Sequence, residues 1–146
     1  MDPLDRQSLS HALRQFINIH RQRTHALLGK LGLYPGQSPL LFMLWERDGR
    51  TQKEFAERLQ VAPATITVML QRMERTGLLE RRPDPGDLRV SRVYLTEAGR
   101  RIRVEVEAVH KQLNDQCFAG FTLEERVLLR RFLLQMHDNL ARPEAE

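Results

Sequence analysis

Asp87 and Arg89 stand two residues apart in the segment RRPDPGDLRVSRVYLT, residues 81–96. At that spacing in a turn, a carboxylate can hold a guanidinium in one orientation, and a held arginine loses less side-chain entropy when it enters a narrow groove. Arg81, Arg82 and Arg92 flank the same turn, and Asp84 lies within it. Just upstream, the stretch from Pro63 to Arg75 sorts its side chains by a 100° step into two faces. Ile66, Met69, Leu70 and Met73 make an apolar one. Opposite them lie Ala64, Thr67, Val68, Gln71 and Arg75, with Thr65 and Arg72 on a flank. Small side chains, hydroxyls, an amide and guanidiniums are the groups that reach base edges and phosphates in a major groove. An ordinary solvated helix face has the same composition, so the elements around it must decide.

Those elements can be read from periodicity and punctuation. Residues 5–31 place Leu9, Leu13, Phe16, Ile17, His20, Thr24, Leu27, Leu28 and Leu31 at three- and four-residue steps, the stripe of a long amphipathic helix that Gly32 ends. After the turn YPGQSP, Ser38 is placed to N-cap a second helix with Pro39 in its first turn, closing at Gly49. That helix is apolar on nearly every side at its start and must lie deep. Thr51 and Glu54 form a T-x-x-E capping box opening a short helix with Phe55, Ala56 and Leu59 inward. A tight turn follows, then Pro63 starts the next helix and Gly77 ends it. This is a helix-turn-helix. The strands LLERR and RVSRVYLT around the turn PDPGD make a β-hairpin directly behind it, so the arginines sit on a wing. A helix from about Glu97 to Phe118 carries Ile102, Val106, Val109, Leu113 and Phe118 on one stripe. A second capping box, Thr122 and Glu125, opens a last helix. Its apolar set of Val127, Leu128, Leu129, Phe132, Leu133, Leu134, Met136 and Leu140 is wider than one stripe needs, which predicts a second subunit; a larger private core would give the same pattern.

The predicted fold class is mainly α with a small β-hairpin wing: a winged helix-turn-helix over residues 36–96, flanked by dimerisation helices at 1–33 and 97–146, all in one domain of 146 residues. Net charge is +4, and residues 50–95 hold nine Lys/Arg against six Asp/Glu, so the excess sits on the predicted reading elements. Met1 to Leu13 has no apolar run of signal-peptide or membrane-span type, and one cysteine, Cys117, builds neither a disulfide nor a thiolate metal site. A cytoplasmic protein without membrane contact is expected. No glycine-rich phosphate loop, G-x-S-x-G or H-E-x-x-H occurs, so no enzyme, cofactor or metal is expected.

The segment MERTGLLERRPDPGDLRVSRVYLTEAGR, with Gly77 ending the recognition helix, Asp87 and Arg89 as D-x-R, and Leu95, Thr96 and Gly99 as L-T-x-x-G, resembles the MarR family of winged-helix transcriptional regulators. The likeness runs over essentially the full chain. It implies an obligate homodimer binding double-stranded DNA at a palindromic operator, with half-sites about 10 base pairs apart. The helix from Pro63 would read the major groove through Ala64, Thr65, Thr67, Val68, Gln71, Arg72 and Arg75. Arg89, steadied by Asp87, would enter the minor groove, with Arg82 and Arg92 as further contacts on the wing. The resemblance also implies repression relieved by a small phenolic, aromatic or lipophilic effector. His20 and Thr24, which interrupt the first stripe, and Phe42 and Trp45 in the second helix are the candidate lining for it, a few polar groups in an apolar hollow. For His20 the alternative is a hydrogen-bonded core or interface histidine, and for the whole chain it is a winged-helix protein-interaction module that does not bind DNA.

Overall fold

The structure, a computed structural model, describes residues 3–142. The outermost residues of the two expected dimerisation segments, 1–2 and 143–146, lie outside the described residues. The chain forms two compact units that divide between His110 and Lys111.

In the first unit, α1 (Pro3–Gly29) leads through a turn to α2 (Gln37–Glu46). Ser38 does not cap α2 as expected. Gly36, at φ 84°, is the N-cap and Ser38 is buried in the first turn. The entry is closed instead by the Gln37 side-chain carbonyl, which accepts from the Tyr34 amide at 3.0 Å. A Cβ on Gly36 would lie 2.5 Å from Met69 Cε, so the turn seats closely on a side chain from a later helix. α2 stops at Glu46, short of Gly49, because Arg47 turns extended at φ −153°. The buried Arg50 guanidinium donates through Nε to the Met43 carbonyl at 2.9 Å, which also accepts the Arg47 amide at 3.0 Å, and so ties Arg50 to the end of the helix.

Arg50–Thr51 forms a strand, β1, that the sequence did not predict. Thr51 then caps α3 (Gln52–Leu59) through the expected capping box, and α4 (Pro63–Arg75) begins with its proline in the first turn. Gly77, at φ 78°, reverses the chain after α4. β2 (Leu79–Pro83) and β3 (Ser91–Leu95) pair antiparallel with Leu79 opposite Leu95 and Arg82 opposite Arg92. β1 adds to the far side of β3, with Thr51 opposite Arg92. The sheet is therefore three-stranded, in order β1-β3-β2, and the wing is anchored in the helix-turn-helix rather than appended to it.

The expected single helix after the wing is two: α5 (Glu97–Arg101) and α6 (Arg103–Cys117). The Trp45 indole donates to the Gly99 carbonyl at 2.9 Å. That carbonyl is the one the Arg103 amide would take in an uninterrupted helix, and a side chain inserted into the ladder is a recognised cause of a break. Leu40, Leu41, Leu44, Phe55, Ile66, Leu70, Met73, Leu79, Val93 and Val106 are fully buried and make one cluster, which fixes α4 against α2, α3 and the sheet.

In the second unit, Thr122 and Glu125 cap α7 (Leu123–Ala141) with the second predicted capping box. Arg126 donates to the Phe118 carbonyl at 3.0 Å, and the Phe118 and Phe121 rings sit 6.4 Å apart. No described residue of α7 is buried: Val127, Leu128, Phe132, Leu133, Leu134, Met136 and Leu140 are all exposed in the single chain. Among the described residues, no helix is long and apolar enough to cross a membrane.

Candidate nucleic-acid interface

The two faces expected of α4 are present, with the exposed one turned toward Thr65 and Arg72. Ile66, Leu70 and Met73 are fully buried and Met69 half-buried, while Pro63, Ala64, Thr65, Val68, Arg72 and Arg75 are exposed. The exposed residues recur at three- and four-residue steps along one side of the helix. Thr67 and Gln71 lie at its edge, half-buried. Thr67 is engaged internally: its hydroxyl donates to the Pro63 carbonyl at 3.0 Å and accepts from Gln52 Nε2 at 3.1 Å. Gln52, which the sequence reading did not single out, thus ties the start of α3 to the first turn of α4. Tyr34 is a second residue missed. Its exposed ring lies 5.6 Å from the Arg72 guanidinium, a cation–π distance that biases where the arginine points.

The wing arginines have four different surroundings. Arg81 reaches Glu74 of α4 at 2.9 and 3.0 Å, and so braces β2 against α4. Arg82 pairs with Glu80 and lies 4.7 Å from the centre of the Tyr94 ring. Arg92 donates through Nε to Asp84 at 2.6 Å and through Nη1 to the Gly49 carbonyl at 2.9 Å. Arg89 stands at the tip with its side chain 91% exposed, yet it is held. Its Nε and Nη2 donate to the two oxygens of Asp87 at 3.0 and 3.2 Å, and its own amide donates to Asp87 Oδ1 at 3.1 Å. The Arg89 guanidinium keeps the Asp87 carboxyl below its ordinary pKa, and Arg92 does the same to Asp84, so both pairs stay charged at neutral pH. Two arginines placed directly across a strand pair, Arg82 and Arg92, would repel; each is matched by its own carboxylate.

A family model described as MarR family matches residues 33–91, from the turn before α2 to the first residue of β3. The transcriptional regulator YdgJ of Bacillus subtilis (strain 168), of the helix-turn-helix type, is 30% identical over 115 residues, covering 78% of this chain and 70% of that protein. The chain belongs to the MarR family. Another transcriptional regulator of this type from the same organism, YsmB, is 29% identical over 134 residues, covering 92% of each chain. In fold, this MarR-family regulator superposes on the S. aureus MepR–DNA complex with a TM-score of 0.82, at 23% identity and over 89% of this chain and 96% of that one.

Away from the exposed face of α4, the four candidate effector residues of this MarR-family chain do not form one set of free polar groups. His20 is exposed, its ring 5.6 Å from Phe16. Thr24 donates its hydroxyl to the His20 carbonyl at 2.8 Å. The Trp45 N–H is taken by Gly99, so Trp45 offers its ring only. Phe42 meets Trp45 edge-on at 5.2 Å and His110 edge-on at 5.1 Å. His110 was not among the candidates. Its Nε2 is buried without a hydrogen-bond partner among the described residues, and burial lowers its pKa, with His20 acting in the same direction.

Proposed function

We propose that the chain is a dimeric, sequence-specific repressor that binds a palindromic operator. The observation that carries this reading is the wing tip: an almost fully exposed arginine, pre-set by two bonds to Asp87, beside a helix face of small, hydroxyl and guanidinium groups. Pre-setting lowers the entropy lost on insertion into a minor groove. The α4 face would take the major groove, through the exposed Ala64, Thr65, Val68, Arg72 and Arg75. The fold likeness to MepR, whose structure is a DNA complex, supports the same assignment. Among the large hydrophobics of that face only Val68 is exposed, which is too little apolar surface for a protein-docking helix.

Residues 1–33 and 97–146 would join two subunits in one domain with the reading elements. In support, α1 leaves Leu9, Phe16, Ile17 and Ile19 exposed, and α7 leaves its whole apolar row uncovered. Monomeric soluble proteins seldom leave rows of this kind in water. An aromatic effector would be taken up beside Phe42, Trp45 and His110, where the unpartnered Nε2 awaits a hydrogen bond.

The experiment is fluorescence anisotropy on DNA from upstream of the chain's own gene, against a scrambled duplex. Saturable, sequence-preferring binding that Arg89→Ala weakens about five- to a hundredfold, the scale of one good direct contact, is the expected result. Equal, weak binding to both duplexes at every salt concentration would favour the protein-interaction reading instead.

A further inference from the structure

We propose that Arg92 is a positioning residue: it sets the wing's bearing on the rest of the reading face and acts on DNA only through Arg89. This rests on the DNA-binding reading above and departs from the expectation that Arg92 itself contacts DNA.

Arg92 is the second residue of the central strand, opposite Thr51 on one side and Arg82 on the other. From there its guanidinium reaches past the ends of both neighbours. Nε holds Asp84, the first residue after β2, and Nη1 holds the carbonyl of Gly49, the residue before β1. Asp84 continues the chain of bonds into the tip. Its second oxygen accepts the Gly86 amide at 2.7 Å, its amide donates to Val90 at 2.8 Å, and its carbonyl accepts the Asp87 amide at 3.3 Å. Asp87 in turn chelates Arg89. On the other side, the Gly49 amide donates to the Val93 carbonyl at 3.0 Å, so the acceptor is fixed in the sheet. One planar fork therefore joins the turn before the helix-turn-helix to the loop that carries the groove-entering arginine.

Two features make this a fixed strut rather than a loose surface pair. Its partners are two acceptors of different elements, met at a set angle that a guanidinium offers and an ammonium does not. It is also less open to water than the tip: the Arg92 and Asp84 side chains are 34% and 18% exposed, against 91% for Arg89.

The test is a set of anisotropy titrations on the preferred duplex with Arg92→Lys, Arg92→Met, Arg89→Ala and the double variants, each first checked for an unchanged melting curve. A positioning role predicts that Arg92→Lys and Arg92→Met weaken binding alike, by about tenfold, although lysine keeps the charge. It also predicts no further loss when either is added to Arg89→Ala, since contacts acting through one group are not additive. Asp84→Asn, which keeps the shape and removes the charge, is expected to reproduce the loss and serves if an Arg92 variant fails to fold. Rescue by lysine, or losses that multiply with Arg89→Ala, would identify Arg92 as a direct phosphate contact and overturn the proposal. Unchanged binding in all Arg92 and Asp84 variants would overturn it as well. A wild-type chain without sequence preference would instead remove the DNA reading on which the proposal stands.

Discussion

Gly99→Ala separates what helix propensity predicts from what packing predicts, because the two have opposite signs. Gly99 is the third residue of α5, buried, with ordinary helical backbone, so alanine there would be expected to stabilise by about 1 kcal/mol on propensity alone. The structure leaves no room for the methyl. A Cβ on Gly99 would stand 2.0 Å from the Leu78 carbonyl oxygen and 3.0 Å from Leu95 Cδ2, where ordinary contact begins at 3.4 Å. The obstructing atom is backbone, and it is pinned, since Leu78 O accepts the Thr96 amide at 3.1 Å. Overpacking of this kind costs about 1–3 kcal/mol and occasionally more, and losing the Leu78–Thr96 bond adds about 1 kcal/mol. After the propensity gain is subtracted, a net loss of about 1–3 kcal/mol remains. For a chain of this size that lowers Tm by roughly 2–12 °C. Circular dichroism melts at one fixed protein concentration would read it, because any subunit association makes Tm concentration-dependent. The Trp45 indole bonded to the Gly99 carbonyl gives a second signal, a shift in tryptophan emission. A variant that melts at or above the wild-type temperature with unchanged emission would show that α5 moves away at little cost and would refute the reasoning.

Thr51→Ala removes one half of the first capping box and is expected to cost about 1 kcal/mol in denaturant unfolding, with the α3–α4 core intact. Phe55→Ala, at a fully buried site in that core, is expected to cost about 3–5 kcal/mol by the same measurement. His110 has a folded pKa below its ordinary 6.5, so the unfolded chain binds a proton that the folded chain resists. Its contribution to stability is therefore complete above pH 6.5 and is lost as the pH falls through the lower folded value; His110→Leu should flatten the stability profile below pH 6.5, measured by denaturant titration at each pH. Phe132→Asp with Leu133→Asp, on the uncovered row of α7, should shift the sedimentation coefficient to that of a single chain without altering the helical signal per residue.

Local chemistry was legible in the sequence wherever it acts within a few residues. Both capping boxes, the proline that opens α4, the left-handed Gly77 behind it and the Asp87–Arg89 pair all depend on contacts no more than four residues long. The features that escaped reading are made by distant partners. β1 is two residues that become a strand only because β3 lies beside them. The break between α5 and α6 is made by an indole 54 residues away, and the far anchor of Arg92 is a carbonyl 43 residues away. Ser38 looked like a cap because its residue type suits one, whereas the helix starts two residues earlier on a left-handed glycine. For the candidate interface, residue type marked the side of α4 that is exposed, but it could not tell an arginine tied back into the sheet from one held out into solvent at the tip.

The Asp87–Arg89 chelate bears on the time course of any encounter. A guanidinium neutralised by its own carboxylate casts little net field beyond a Debye length of about 8 Å, so the tip contributes little to drawing in a polyanion from a distance. Approach speed then falls to other cations, such as Arg72 and Arg75 on the exposed face of α4. In the proposed complex the tip would act after contact, when water leaves and its bonds form at short range. Its effect would then fall on how long that complex lasts, so that arrival and residence are expected to respond to changes at different arginines.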